Sequence, residues 1–276
     1  MSDGRASRLP AIFVAATLVG GLLIMSFMAP DFVSTPDLDA RYLGPLESLP
    51  MGTDDRGIGL HEYAMQGAAI VLLPAIASGA LVMLLATFAG LVRCSGNTAM
   101  DGLIQVFSEL VGSLPRLVVI LVVALLLPPD WKILLPIGLA WAVLAAPGAM
   151  DEAATTAGRL GGARFVEALR AHGFSASRIY LYHVVGLNLR PVIVRQGAEV
   201  AMQVVFLEIA LSYLAVSQNE PSFTHSDGTY SWATLLYQGY TALLGEDLVH
   251  ALVVGLLLVA SVAVAAQSVR LAARAR

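Results

Sequence analysis

Charge is scarce in this chain. Only 13% of its 276 residues are Asp, Glu, Lys or Arg, while 57% are hydrophobic. A soluble domain carries roughly 25% charged residues, so a mean hydropathy of +0.76 excludes a disordered chain and an ordinary water-soluble enzyme. Cysteine is nearly missing: Cys94 stands alone, so no intrachain disulfide can form and no Cys/His cluster holds a structural metal. Lys132 is the single lysine, and it sits in Asp130-Trp131-Lys132-Ile133. A Walker A loop needs Gly-Lys-Ser/Thr to cradle phosphates, so the chain does not bind ATP in that way by itself. A basic excess is also lacking. The net charge of −4 leaves nothing to neutralise phosphates, which argues against a nucleic-acid partner.

What the chain does have is long apolar runs. A bilayer crossing takes about 20 apolar residues. The runs Ala11 to Met28, Ala68 to Val92, Leu103 to Leu127, Ile133 to Met150, Gln196 to Val216 and Leu248 to Ser268 are six candidates. The first also resembles a signal peptide in length, but Ser26-Phe27-Met28-Ala29-Pro30 is a poor cleavage site, which favours an uncleaved anchor. The third contains Glu109 and Arg116. Its charge-free half is too short to cross alone, so one helix is expected to run back through both charges. The expected organisation is an anchor over 1–30, an extracytoplasmic segment over 31–67 and a membrane core over 68–276. That core includes a polar segment over 151–195 and an extracytoplasmic loop over 217–247.

Six crossings put both termini on one side, and basic residues concentrate on the cytoplasmic side of membrane proteins. With the termini inside, twelve arginines lie inside, against Arg41, Arg56 and Lys132 outside. Arg116 is left in the membrane. The expectation is an all-α multi-pass protein, N-in and C-in.

The segment 151–195 is too long for a turn and too polar to cross. Within it, Phe165, Val166 and Leu169 share one face of a short helix, with Arg164, Glu167 and Arg170 elsewhere. Gly173 is placed to end that helix in the left-handed conformation. Ser175 or Ser177 can then cap a second helix carrying Ile179 and His183. On spacing alone, the short helix reads equally well as one lying on lipid headgroups.

Phe165-Val166-Glu167-Ala168 followed by Gly173, Ile179 and His183 resembles the EAA loop of ABC importer permeases, with Leu169 at the second alanine. Other stretches resemble the C-type permease of dipeptide, oligopeptide and nickel importers. These are Met51-Gly52-Thr53-Asp54-Asp55, Glu109 with Pro115, Leu207-Glu208-Ile209-Ala210-Leu211-Ser212-Tyr213-Leu214, and Tyr230-Ser231-Trp232-Ala233. The ordered set covers about residues 10 to 268. The chain departs from the pattern at Gly57-Ile58-Gly59, Ala215-Val216-Ser217 and Gly186, as a divergent member would.

The resemblance implies a type I ABC importer permease fold with a cytoplasmic coupling helix between spans four and five. It implies that Arg164, Phe165, Val166, Glu167, Ala168, Leu169, Arg170, His172, Gly173 and Phe174 engage an ATPase. It also implies a bacterial cytoplasmic (inner) membrane location, a second homologous permease, two ATPase subunits and an extracytoplasmic substrate-binding protein. ATP and Mg would sit on the ATPases, and no cofactor or metal in this chain. The cargo would be a small solute, peptide or peptide-like, and the chain itself no enzyme. Asp54, Asp55, Arg56 and Trp232 are expected to meet the binding protein.

Glu109, Arg116, Glu199 and Glu208 fall within or at the edge of spans, where an ionised group costs roughly 2.5–3.5 kcal/mol unless it faces protein or water. They are candidates for a translocation path. For Glu208, inter-helix hydrogen bonding is the stronger reading. Seven residues separate Glu109 from Arg116, about 10 Å along one helix face. The alternative function is a stand-alone secondary transporter or channel that uses these intramembrane acids. His61-Glu62-Tyr63-Ala64-Met65 begins like a zinc-protease helix but has Met65 in place of the second histidine. His225, Asp227 and Glu220 read as a solvated loop before a cargo or metal contact.

Overall fold

A computed structural model of the chain describes residues 8–48, 50–128, 133–161, 165–218, 229–242 and 249–274. Arg164, Lys132, Glu220, His225 and Asp227 lie outside the described residues. The described structure is helical, with one isolated antiparallel bridge between Thr53 and Gly59. Its helices are α1 (Arg8–Phe27), α2 (Leu60–Ser95), α3 (Thr98–Gly112), α4 (Arg116–Leu126), α5 (Leu134–Gly161), α6 (Phe165–Ala171), α7 (Arg190–Gln218), α8 (Trp232–Ala242) and α9 (Val249–Arg274). Helices α1, α2, α5, α7 and α9 form five segments long and apolar enough to cross a bilayer, and α3 with α4 makes a sixth only as a bent pair. The chain is a polytopic helical membrane protein.

Three expectations about the spans need correction. The third run is not one helix. It breaks at Ser113-Leu114-Pro115, and α3 and α4 meet at 79°. Proline has no N–H to donate and drives the residue before it out of the helical region. Leu114 and Pro115 therefore interrupt the span, and the single face assumed for Glu109 and Arg116 does not exist. The second correction concerns α2, which begins at Leu60 rather than Ala68, so the last residues of segment 31–67 are helical.

Thirdly, segment 151–195 is mostly helix. Helix α5 runs on to Gly161, and a π-helical stretch, Arg178–Leu189, leads directly into α7. Ser177 stands at its N-terminus without the expected side-chain cap. Its hydroxyl lies 3.3 Å from that of Ser175 instead.

Helix α2 is the axis of the bundle and packs along α5 and α7. Lipid tails are as apolar as leucine, so membrane helices associate by close packing of small residues. The crossing of α2 and α7 shows this. A Cβ added to Gly79 would stand 2.7 Å from the Gly197 carbonyl oxygen, and one added to Gly197 would run into Met83. Larger residues at either position would separate the helices. Buried Ala86, Ala142, Ala149, Ala153 and Ala157 continue the same packing between α2 and α5. Outward-facing Phe13, Ile24, Leu73, Leu84 and Leu257 give the bundle its lipid-facing surface.

Candidate functional site

The short helix α6 lies in the segment between α5 and α7. Val166 is buried and Leu169 half-buried, while Glu167, Ala168, Arg170, Ala171 and His172 are exposed. The helix ends as the sequence suggests. Gly173 has φ +78°, its N–H bonds Arg170 O at 2.9 Å, and the Phe174 N–H bonds Leu169 O at 3.1 Å. This pair of bonds is a Schellman ending, with glycine at the left-handed position. The exit is pinned as well. Arg170 Nη2 donates to Tyr180 Oη at 2.8 Å. Phe174 packs edge-on against His183, and Arg178 lies over the Phe174 ring at 4.8 Å from its centroid. One face of α6 is anchored and the other is bare.

Beneath it, Glu152 near the end of α5 bonds both Arg195 and Gln196 of α7. Sequence reasoning missed this network. Opposite charges at the two ends of segment 151–195 were the available signal.

The break between α3 and α4 exposes both of its charges. Among the described residues, neither Glu109 nor Arg116 has a side-chain hydrogen bond or ion pair, and both are exposed. Leu110, Leu114, Leu117, Leu121 and Leu125 flank them on the same bent pair and are exposed too. A groove between α4 and α7 is lined by Leu117, Leu121, Phe206, Ala210, Tyr213 and Leu214. Glu208 does not reach it. Glu208 is fully buried, takes a hydrogen bond from Ser212 Oγ at 2.7 Å and also interacts with Ser231 beside α8. Its tie beyond α7 runs to Ser231, and it has no surface on the groove.

The segment before α2 is a compact polar clamp. Asp54 is fully buried. Its Oδ1 accepts from the N–H groups of Arg56 at 2.9 Å and Ile58 at 2.8 Å, and its Oδ2 accepts from Tyr63 Oη. Arg56 donates to Tyr230 Oη at 2.8 Å and Tyr63 Oη at 2.7 Å, with its guanidinium over the Tyr230 ring. Burial works against the charge on Arg56, but the two tyrosine hydroxyls outweigh it and raise its pKa above the ordinary value.

Gln66 bonds Pro30 O and the Tyr230 N–H, and Trp232 Nε1 donates to Ala64 O at 2.9 Å. The expectation that Asp54 and Trp232 meet an outside protein is therefore corrected. Both are fully buried and join loop to helix. Asp55 is exposed and Arg56 half-buried.

Among the described residues, no group of three or more His, Cys, Asp or Glu is arranged to hold a metal ion. Neither a protein-family model nor a curated protein matches the chain.

Proposed function

We propose that the chain is the membrane-spanning permease subunit of an ATP-driven importer, divergent within the C-type dipeptide, oligopeptide and nickel permeases that its motifs resemble. In this reading it carries a small solute, peptide or peptide-like, into the cell across a bacterial cytoplasmic membrane, with both termini inside. A second homologous permease completes the path, two ATPase subunits bind ATP and Mg, and an extracytoplasmic binding protein delivers the cargo.

The observation that carries the reading is α6. It is anchored through Val166, ended at Gly173, tied to Tyr180 by Arg170 and exposed at Glu167, Ala168 and His172. A short helix that touches α5, is tied to the π-helical stretch before α7 and leaves its other residues exposed is suited to transmit a push. Movement of an ATPase groove gripping the bare face would pass through α5 and α7 to the bent α3–α4 pair, where Glu109 and Arg116 face outward from the bundle. A polar path between two permeases gives those charges the water or counter-charge that an apolar span denies them. A binding protein would meet the exposed Asp55 side of the clamp.

Two glycines make a matched test. Gly173 and Gly96 both have positive φ, +78° and +75°, and an added Cβ meets nothing within 4 Å at either. Alanine at each therefore costs a similar backbone strain, about 1–2 kcal/mol. Gly96 ends α2 and takes no part in ending α6. In proteoliposomes containing the whole transporter, Gly173→Ala should lower uptake at least tenfold and uncouple ATP hydrolysis from it, while Gly96→Ala transports normally. Equal losses in the two variants defeat the coupling reading. Uptake by this chain alone, driven by an ion gradient, would establish the secondary-transporter reading instead.

A further inference from the structure

Four helices enclose a cavity that the import reading does not use. Helix α1 packs on α2 and α9, and α7 packs on the same two, whereas α2 and α9 barely touch. These four pairs close the ring, with α2 and α9 facing each other across it. Inside it lies a cavity of about 380 Å³, whose walls include Leu22, Ala75, Gly79, Ala201, Met202 and Ala265. Every lining residue is apolar or glycine. Its mouth is marked on α2, where the lining residues Ile76, 49% exposed, and Ala80 reach the surface. The floor is the close crossing of Gly79 and Gly197.

We infer that this cavity is a lipid site, holding one acyl chain of an anionic phospholipid that enters beside Ile76 and Ala80 of α2. The lining offers water no partner, and apolar cavities of this kind stay dry. Left empty, it forfeits the dispersion contacts of its whole wall. In a bilayer, the material at its mouth is acyl chain. The volume fits that occupant. A cavity of about 150 Å³ accommodates benzene, so by the same measure 380 Å³ takes a chain of about fifteen carbons. A partner helix does not fit, because a rod about 10 Å across fills that volume within about three residues.

The charge at one end selects the headgroup. Val194 and Val269 line the cavity, and Arg270 follows on the same turn of α9. Its Nη2 is 3.5 Å from Glu199 Oε2, a weak contact, and its Nε is buried with no hydrogen-bond partner. A guanidinium has five N–H donors that match phosphate geometry. A headgroup phosphate would engage donors that Glu199 leaves idle. The inference is independent of the import reading and needs only that the bundle sits in a bilayer.

The experiment is native mass spectrometry of the full chain, delipidated and then supplied with phosphatidylglycerol or phosphatidylcholine. The wild type should retain one phosphatidylglycerol per chain and at least tenfold less phosphatidylcholine. Ala266→Phe on α9 and Ala80→Phe on α2 fill the cavity from opposite walls. Each should cut retention at least tenfold while gel filtration and thermal unfolding stay close to wild type. Arg270→Gln should keep lipid binding but erase the preference for phosphatidylglycerol.

Should both filled variants misfold, the Ala80→Cys variant replaces them. Its maleimide labelling in detergent should slow at least fivefold when phosphatidylglycerol is added. Wild-type retention by a folded filled variant, equal retention of the two lipids by the wild type, or labelling unaffected by lipid would each overturn the inference.

Discussion

The clamp before α2 and the elbow between α3 and α4 carry the same kinds of side chain and use them in opposite ways. In the clamp, Asp54 is enclosed and Arg56 half-buried, and each has several partners: two backbone N–H groups and a tyrosine for the acid, two tyrosines and a ring face for the base. At the elbow, Glu109 and Arg116 are exposed on the bent pair, and neither is paired among the described residues. A charge that satisfies itself inside one polypeptide belongs to its architecture. A charge left bare at membrane depth is stable only beside something the polypeptide does not supply. The contrast therefore separates charges that the described residues satisfy from charges that they leave open.

Removing Asp54 attacks the comparison hardest. Asp54→Ala strips Tyr63 and Arg56 of their acceptor and frees the turn at Ile58. Hydrogen bonds to a charged group are worth about 1.5–3 kcal/mol each, and Arg56 is partly solvated. A loss of about 2–3 kcal/mol is expected, read as a fall in thermal unfolding temperature in detergent. Trp232→Phe removes one N–H bond to Ala64 O and keeps the packed ring, so about 1 kcal/mol should go. Arg116→Ala should sit at the far end, within about 0.5 kcal/mol of wild type, while uptake by the assembled transporter falls at least tenfold. A cysteine at position 116 should react with a membrane-impermeant thiol reagent in that assembly. If Arg116→Ala instead destabilised the isolated chain as much as Asp54→Ala, the division between the two regions would be gone.

Much of the fold can be read from the sequence, because an apolar run of bilayer length has few other uses. The break in the third span was also written there. Pro115 disfavours helix at Leu114, but hydropathy averages across such a residue and does not register it. The early start of α2 was hidden for a related reason. His61, Glu62 and Gln66 depress hydropathy, yet they lie in a helix because Glu62 bonds Ser34 and Gln66 bonds Pro30 and Tyr230.

At the candidate site, the end of α6 at Gly173 was legible from local chemistry alone. The burial of Asp54 and Trp232 was not. It depends on Arg56 meeting Tyr230 and on Trp232 meeting Ala64, contacts 174 and 168 residues apart along the chain. The pairing of Glu199 with Arg270, 71 residues apart, was invisible for the same reason.

The polar end of α5 has a geometric outcome. Glu152 meets Arg195 at the level where the helix turns hydrophilic, and α5 then continues for nine further residues to Gly161 before α6 begins. At 1.5 Å per residue that is a stalk of about 14 Å. Ala153 and Ala157 keep its first turns packed against α2, so any load taken at Glu167 would reach the ion pair and α2 together.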